Sequence, residues 1–157
     1  MKFVADSSAL IRLYLGEDAT DTMEQFLDED KKVLSLSDLA RIEVLNVLLQ
    51  KPEVGAAAKF EQDLAEGLRL RVESVNWPAA LQRAESLARR FSPTLKPGGH
   101  DLILVAAAAT VGATWFLSFD RNSRQRPLAA AAGLRVWPPL DKNEKGLVRH
   151  ATKQATG

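Results

Sequence analysis

Apolar and polar positions along this chain alternate between two periods. Phe3, Val4 and Ala5 form a run of strand length, and Leu10, Ile11, Leu13, Tyr14 and Leu15 then recur at helical spacing up to Gly16. The exchange of a short apolar run for a helical stripe repeats as far as Trp137. Further helices are predicted over Thr20 to Glu29, Ser37 to Gln50, Gly55 to Leu70, Pro78 to Phe91 and His100 to Val111, with an alanine-rich one ending at Ala132. Further strands are predicted at Val33 to Leu36, Val72 to Trp77, Ala113 to Phe119 and Leu134 to Trp137. Pro52 closes the third helix and Pro78 opens the fifth, while Ser92 to Gly99, with two prolines and two glycines, reads as a loop. Strands alternating with helices predict one α/β domain, its mostly parallel sheet covered on both faces. Beyond Pro138 and Pro139 no apolar stripe is evident, so residues 139–157 are expected to form a polar, flexible tail.

Composition narrows the chemistry. The 157 residues suit one domain, and 46% apolar with 26% charged residues is ordinary for a globular protein. The chain has no cysteine, which excludes disulfides, thiolate metal sites and cysteine nucleophiles, and its two histidines exclude a histidine-rich metal site. No apolar run approaches the ~20 residues of a membrane span. The chain opens on a strand and a charged helix rather than a signal peptide, and a cytoplasmic protein with no membrane partner is expected. A net charge of +1 is not that of a generic nucleic-acid coat. Two basic groups stand out, Arg121, Arg124 and Arg126, and Arg89, Arg90 and Lys96; solvated surface and phosphate binding are both open for each.

Four acids occupy positions that surface patterning does not require. Asp6 follows the first strand; an acid there can cap a helix, but Ser7 and Ser8 are available for that task. Glu43 lies in the most apolar helix and forms with Asn46 and Gln50 a narrow polar stripe, facing either water or an internal cleft. Asp101 opens an apolar helix, where the helix dipole favours an acid. Asp120 follows the strongest strand, with Ser118 two residues earlier on the same face. Each acid alone has a plain structural explanation. Together, Asp6 and Asp120 end strands predicted parallel and so share the edge of the sheet where open α/β folds bind ligands. Carboxylates gathered in one cleft repel, and a cation holds them ionised; oxygen-only ligation favours Mg²⁺ or Mn²⁺. That combination points to phosphoryl chemistry. A metal-dependent phosphoryl hydrolase and a non-enzymatic α/β binding module are both open on these residues.

The segments that carry the acids are Phe-Val-Ala-Asp-Ser-Ser-Ala-Leu around Asp6, Ala-Arg-Ile-Glu-Val-Leu-Asn-Val-Leu around Glu43, His-Asp-Leu-Ile-Leu-Val-Ala-Ala-Ala around Asp101 and Phe-Leu-Ser-Phe-Asp-Arg around Asp120. In this order, over residues 1–138, they resemble the PIN domain. The length and arrangement resemble the VapC-type ribonuclease toxins of type II toxin–antitoxin pairs. The resemblance implies a three-layer α/β/α fold and a Mg²⁺- or Mn²⁺-dependent endoribonuclease. In that reading Asp6, Glu43, Asp101 and Asp120 are the metal-binding and catalytic residues, with Ser118 and Asn46 in support. Arg121, Arg124 and Arg12 would contact the RNA backbone. A cognate antitoxin and a second copy of the chain are the implied protein partners, with Leu13, Tyr14 and the helices after residue 37 as candidate surfaces.

Overall fold

The computed structural model describes residues 1–16 and 20–156; residues 17–19, and residue 157 of the expected tail, lie outside the described residues. The elements run β1 (Phe3–Ala5), α1 (Ser7–Leu15), α2 (Thr20–Asp28), β2 (Leu34–Ser37), α3 (Asp38–Leu49), α4 (Ala56–Glu66), β3 (Leu70–Glu73), α5 (Trp77–Leu95), α6 (Gly99–Thr110), β4 (Trp115–Leu117), α7 (Gln125–Ala131), β5 (Arg135–Trp137) and α8 (Lys142–Thr156). The five strands form one parallel sheet in the order β3-β2-β1-β4-β5. The chain winds outward from β1 through β2 to β3, then crosses back by way of α5 and α6 to lay β4 on the other side of β1. The winding direction therefore reverses between β1 and β4, which opens a crevice at their carboxyl ends.

Period-two alternation sorts the strands between two cores. Val4 pairs in register with Phe116, and both join the core built by α5, α6, α7 and α8. Ala5 pairs with Leu117, and both join the core under α1 to α4, with Leu10, Met23, Leu36, Val44, Leu48 and Phe60. The result is the expected α/β/α arrangement, with helices on both faces of a parallel sheet.

Several boundaries differ from the sequence pattern, three of them with a clear local cause. Helix α4 stops at Glu66 because Gly67 takes a left-handed backbone (φ 66°), and this leaves Leu68 72% exposed instead of continuing the stripe. Strand β3 consequently starts at Leu70, two residues before the predicted strand. Helix α5 runs through Pro93 to Leu95, four residues past the predicted end, because Leu95 extends the buried stripe of Ala84, Leu87 and Phe91.

The larger correction concerns the C-terminus. The expected flexible polar tail is a helix, α8, packed on α5 and α7. Its apolar stripe is Leu147, Ala151 and Ala155, spaced by four, with Ala151 wholly buried. Two alanines and a leucine hold little hydrophobicity, so the stripe does not stand out against the charged residues around it. Substituting Ala151 with Glu puts an unpaired carboxylate into this contact and should cost about 2–4 kcal/mol in urea unfolding. A flexible tail would leave the midpoint unchanged.

Candidate active site

The crevice between β1 and β4 is lined from both strand ends. The Asp6 amide donates to the Leu117 carbonyl (2.9 Å), so the two strands leave the sheet together. Asp6 then turns into α1 as its N-cap, with Oδ1 accepting from the Ala9 amide (3.0 Å) and from Ser8 Oγ (2.7 Å). This corrects the expectation that Ser7 or Ser8 does the capping: the acid is the cap, and the serines serve acids. Asp6 Oδ2 accepts from the hydroxyl of Ser118 (2.6 Å), which is fully buried beyond the end of β4. Ser118 Oγ in turn accepts the Asp120 amide (3.2 Å), and Ser8 Oγ accepts the Phe119 amide (3.0 Å). Two hydroxyls thus stitch the turn after β1 to the turn after β4.

Burial pushes the Asp6 carboxyl up to about 6; the bonds from Ser118, Ser8 and the Ala9 amide oppose this, and repulsion from Asp120 adds to it. Asp120 itself is half-buried and folds its own loop, its Oδ1 accepting the amides of Asn122 and Ser123 (both 3.1 Å).

Glu43 comes from the middle of α3. Its Oε2 accepts from Ser7 Oγ (3.2 Å) and lies 3.4 Å from His100 Nε2. Its Oε1 is buried and has no hydrogen-bond partner among the described residues. Asp101, 7% exposed, sits in the first turn of α6, where its Oδ2 accepts the Gly98 amide (3.0 Å). Hydrogen bonds therefore join Asp6, Ser8, Ser118 and Asp120 in one group and link Ser7 to Glu43, beside His100, in a second. Among the described residues no hydrogen bond ties Asp101 to either group; it follows His100 directly in the chain.

The remaining predicted residues fall at varied distances from this crevice. Asn46 is exposed on α3, and no hydrogen bond among the described residues connects it to an acid. Arg12 stacks over the Phe119 ring, 4.9 Å from its centroid. Arg124 is exposed at the start of α7. Arg121, half-exposed, is ion-paired to Asp141 (3.2 Å) and Glu144 (3.1 Å) rather than extended toward the crevice. Arg126 fits neither reading of its basic group, since it is completely buried and donates to Glu144, Ser118 and Pro138.

Residues the pattern missed are Ser7, Ser8, His100, Arg126 and Glu144. The serines had a signal, since each follows Asp6 within two positions. Arg126 had none, because its partner lies 18 residues away in a segment without a visible apolar face.

The donor set fits a hard divalent cation: all the acids offer oxygen, Asp6 is desolvated, and Glu43 Oε1 is a buried acceptor without a donor. Among the described residues no three acidic or histidine side chains form a ready-made cage. That is compatible with Mg²⁺, which keeps several waters and is held by about one or two carboxylates rather than an all-protein shell.

Comparison with known proteins bears on the family and the fold. The family model described as PIN domain matches residues 3–128. Among solved structures, Mycobacterium tuberculosis VapC20, a toxin that cleaves the sarcin–ricin loop, superposes with a TM-score of 0.59 at 21% identity, covering 85% of this chain and 96% of that one. A toxin–antitoxin complex from Klebsiella pneumoniae gives a TM-score of 0.59 at 16% identity, over 89% and 99% of the two chains. PAE2754 from Pyrobaculum aerophilum gives 0.52 at 16% identity, over 98% and 91%. At these identities the likeness is one of fold. Compared by sequence with curated proteins, the chain matches none. Among the described residues no helix is long and apolar enough to cross a membrane.

The buried Asp6 predicts a pH effect. Its carboxyl holds a proton more tightly in the fold (about 6) than at the ordinary 3.8 of an unfolded chain. The stabilisation from the protonated form is complete below about pH 4 and is lost as pH rises through 6, amounting to roughly 3 kcal/mol. Urea unfolding of the metal-free protein should therefore weaken over that window, and Asp6→Asn, which cannot ionise, should flatten it. An equal slope in both proteins would rule out burial of Asp6 as the cause.

Proposed function

The chain belongs to the PIN domain family, and on that premise we propose that it is a divalent-metal-dependent endoribonuclease acting in the cytoplasm as the toxin of a toxin–antitoxin pair. The observations that support the reading are under-neutralised carboxylates: Asp6 at the β1/β4 crevice, raised by burial with Asp120 repelling it, and Glu43, bonded to Ser7 next to Asp6 in the chain, with an unpartnered buried oxygen. Asp6, Glu43, Asp101 and Asp120 would hold Mg²⁺, or Mn²⁺ in its place, directly or through water. Bound there, the cation would acidify a water and neutralise charge developing on a scissile phosphate.

The chain's own residues fix where this happens. Ser8 and Ser118 hold both Asp6 oxygens, so the carboxylate is preorganised rather than free to rotate. Ser7 and His100 orient Glu43 from α1 and α6. Arg124, exposed, and Arg12, stacked on Phe119, are the proposed RNA-backbone contacts, with Arg121 joining them where its pairing with α8 permits. Asn46 is proposed to support the Glu43 side of the site through water, in keeping with its exposure.

A toxin and a toxin–antitoxin complex among the fold relatives support a protein antitoxin as partner. A second copy is proposed to cover exposed apolar residues of α3 and α5: Ile42 (65% exposed), which lines a depression of about 330 Å³ with Asp38, Leu39 and Trp77, together with Leu49 (59%) and Leu81 (52%). Sedimentation should show a dimer that Ile42→Asp converts to monomer; an unchanged mass in the variant would place the interface elsewhere.

For the activity, purified protein with Mg²⁺ or Mn²⁺ should cut RNA internally, and chelation should abolish cutting. Asp6→Asn and Asp101→Asn should each lower the rate by about 10²-fold or more. Equal cutting by wild type and Asp6→Asn would overturn the mechanism, and hydrolysis of small phosphate esters without RNA cleavage would replace ribonuclease with phosphatase.

A further inference from the structure

The most heavily bonded side chain in the described structure is neither an acid nor on the surface. Arg126 on α7 is completely buried. Its Nε donates to Glu144 Oε2 (2.8 Å), and its Nη2 donates to Glu144 Oε1 (3.3 Å) and to the carbonyls of Pro138 (2.8 Å) and Pro139 (3.1 Å). Its Nη1 donates to the Ser118 carbonyl. Ser118 is the residue whose hydroxyl holds Asp6, and its amide donates to the Trp137 carbonyl (3.1 Å). Both backbone polar groups of Ser118 are thus tied down, one by β5 and one by Arg126. Glu144 is fixed in turn by the Asp141 amide (3.1 Å), and its own amide donates to Asp141 Oδ1 (2.8 Å) at the start of α8.

We propose that Arg126 and Glu144 are positioning residues for the acidic site, acting through Ser118 on Asp6, and that α8 is thereby part of the site's frame. The proposal rests on the nuclease reading above for its kinetic consequence, though not for its structural one. The guanidinium is permanently charged and planar, so it reaches Glu144, the proline carbonyls and Ser118 simultaneously from one rigid fork. A shift of α8 would move Glu144, leave Arg126 with an unpaired charge, and release the Ser118 carbonyl. The Ser118 hydroxyl sits on the same residue, so a displaced carbonyl turns the hydroxyl away from Asp6. Arg121 adds a second link, since it pairs with the same Glu144 and directly follows Asp120.

Two amides report on this frame without any cleavage assay: Asp120, bonded to Ser118 Oγ, and Phe119, bonded to Ser8 Oγ. The Asp6 amide, bonded to Leu117, is the internal reference. In the metal-free full chain, Glu144→Gln should speed hydrogen exchange at Asp120 and Phe119 by about tenfold relative to Asp6, with an unchanged far-ultraviolet spectrum. In RNA cleavage it should lower kcat by about tenfold with KM within about twofold. Its effect on kcat should also largely vanish in a Ser118→Ala background, because the path through the hydroxyl is already cut. Should Glu144→Gln fail to fold, Glu144→Asp, which keeps the charge, carries the same measurements at a smaller amplitude. Unchanged exchange at both reporter amides in a folded variant, or an undiminished effect in the Ser118→Ala background, would overturn the proposal. A wild-type protein that binds no Mn²⁺ and cuts no RNA would overturn the nuclease reading, and the exchange measurement would still decide the positioning role.

Discussion

A carboxylate can be taken out of water at the end of a central strand only if hydrogen-bond donors come to meet it, and much of this chain is arranged to supply them to Asp6. The donors are three: the Ala9 amide and the Ser8 hydroxyl in the first turn of α1, and the Ser118 hydroxyl beyond the end of the neighbouring strand β4. They stop short of neutralising it, since burial still raises its carboxyl to about 6. The residue is held in orientation yet left short of positive charge, the condition under which a hard cation has most to gain by binding. The same turn serves the fold, because the cap that satisfies α1 is the acid that faces the crevice. Mutating Asp6 therefore touches a helix terminus and the site together.

Arg126 poses the complementary problem on the other side of β4. A buried guanidinium is tolerated when its donors are matched, and removing one partner costs more than the pair contributes. Here the partners are drawn from the residue after β4, the residues after β5 and the start of α8. Elements that already share an apolar core are further fixed relative to one another by a charge none can leave unpaired. Packing gives α8 its place through Ala151, and Glu144 sets its register.

The sheet, and the shared edge on which Asp6 and Asp120 lie, were legible in the sequence for reasons that can be named. Short apolar runs bounded by polar turns carry the strands, and acids closing two such runs must share an edge if the strands are parallel. Capping was misread because Asp, Ser and Ser are all good caps, and local preference does not say which side chain turns back toward the helix. Helix α8 was invisible because its contact is built from Leu147, Ala151 and Ala155, whose small side chains bury well while contributing little to a hydrophobic pattern. Arg126 looked like its neighbours Arg121 and Arg124, and only the tertiary fold brings Glu144 to it. Long-range pairing of this kind leaves no periodic trace.

The order of the strands has a consequence for a chain made from its amino end. Asp6 is synthesised well before its partner, because its bond to Ser118 spans 112 positions, and the clamp on Ser118 adds Arg126 and Glu144. Strand β1 can pair with β2 early, but its β4 side stays open until β4 has been made. A nascent polypeptide, still attached to the ribosome and its message, thus carries the first acid without the frame that holds it. The fold's winding order delays assembly of the crevice until β4, α7 and the start of α8 have been made.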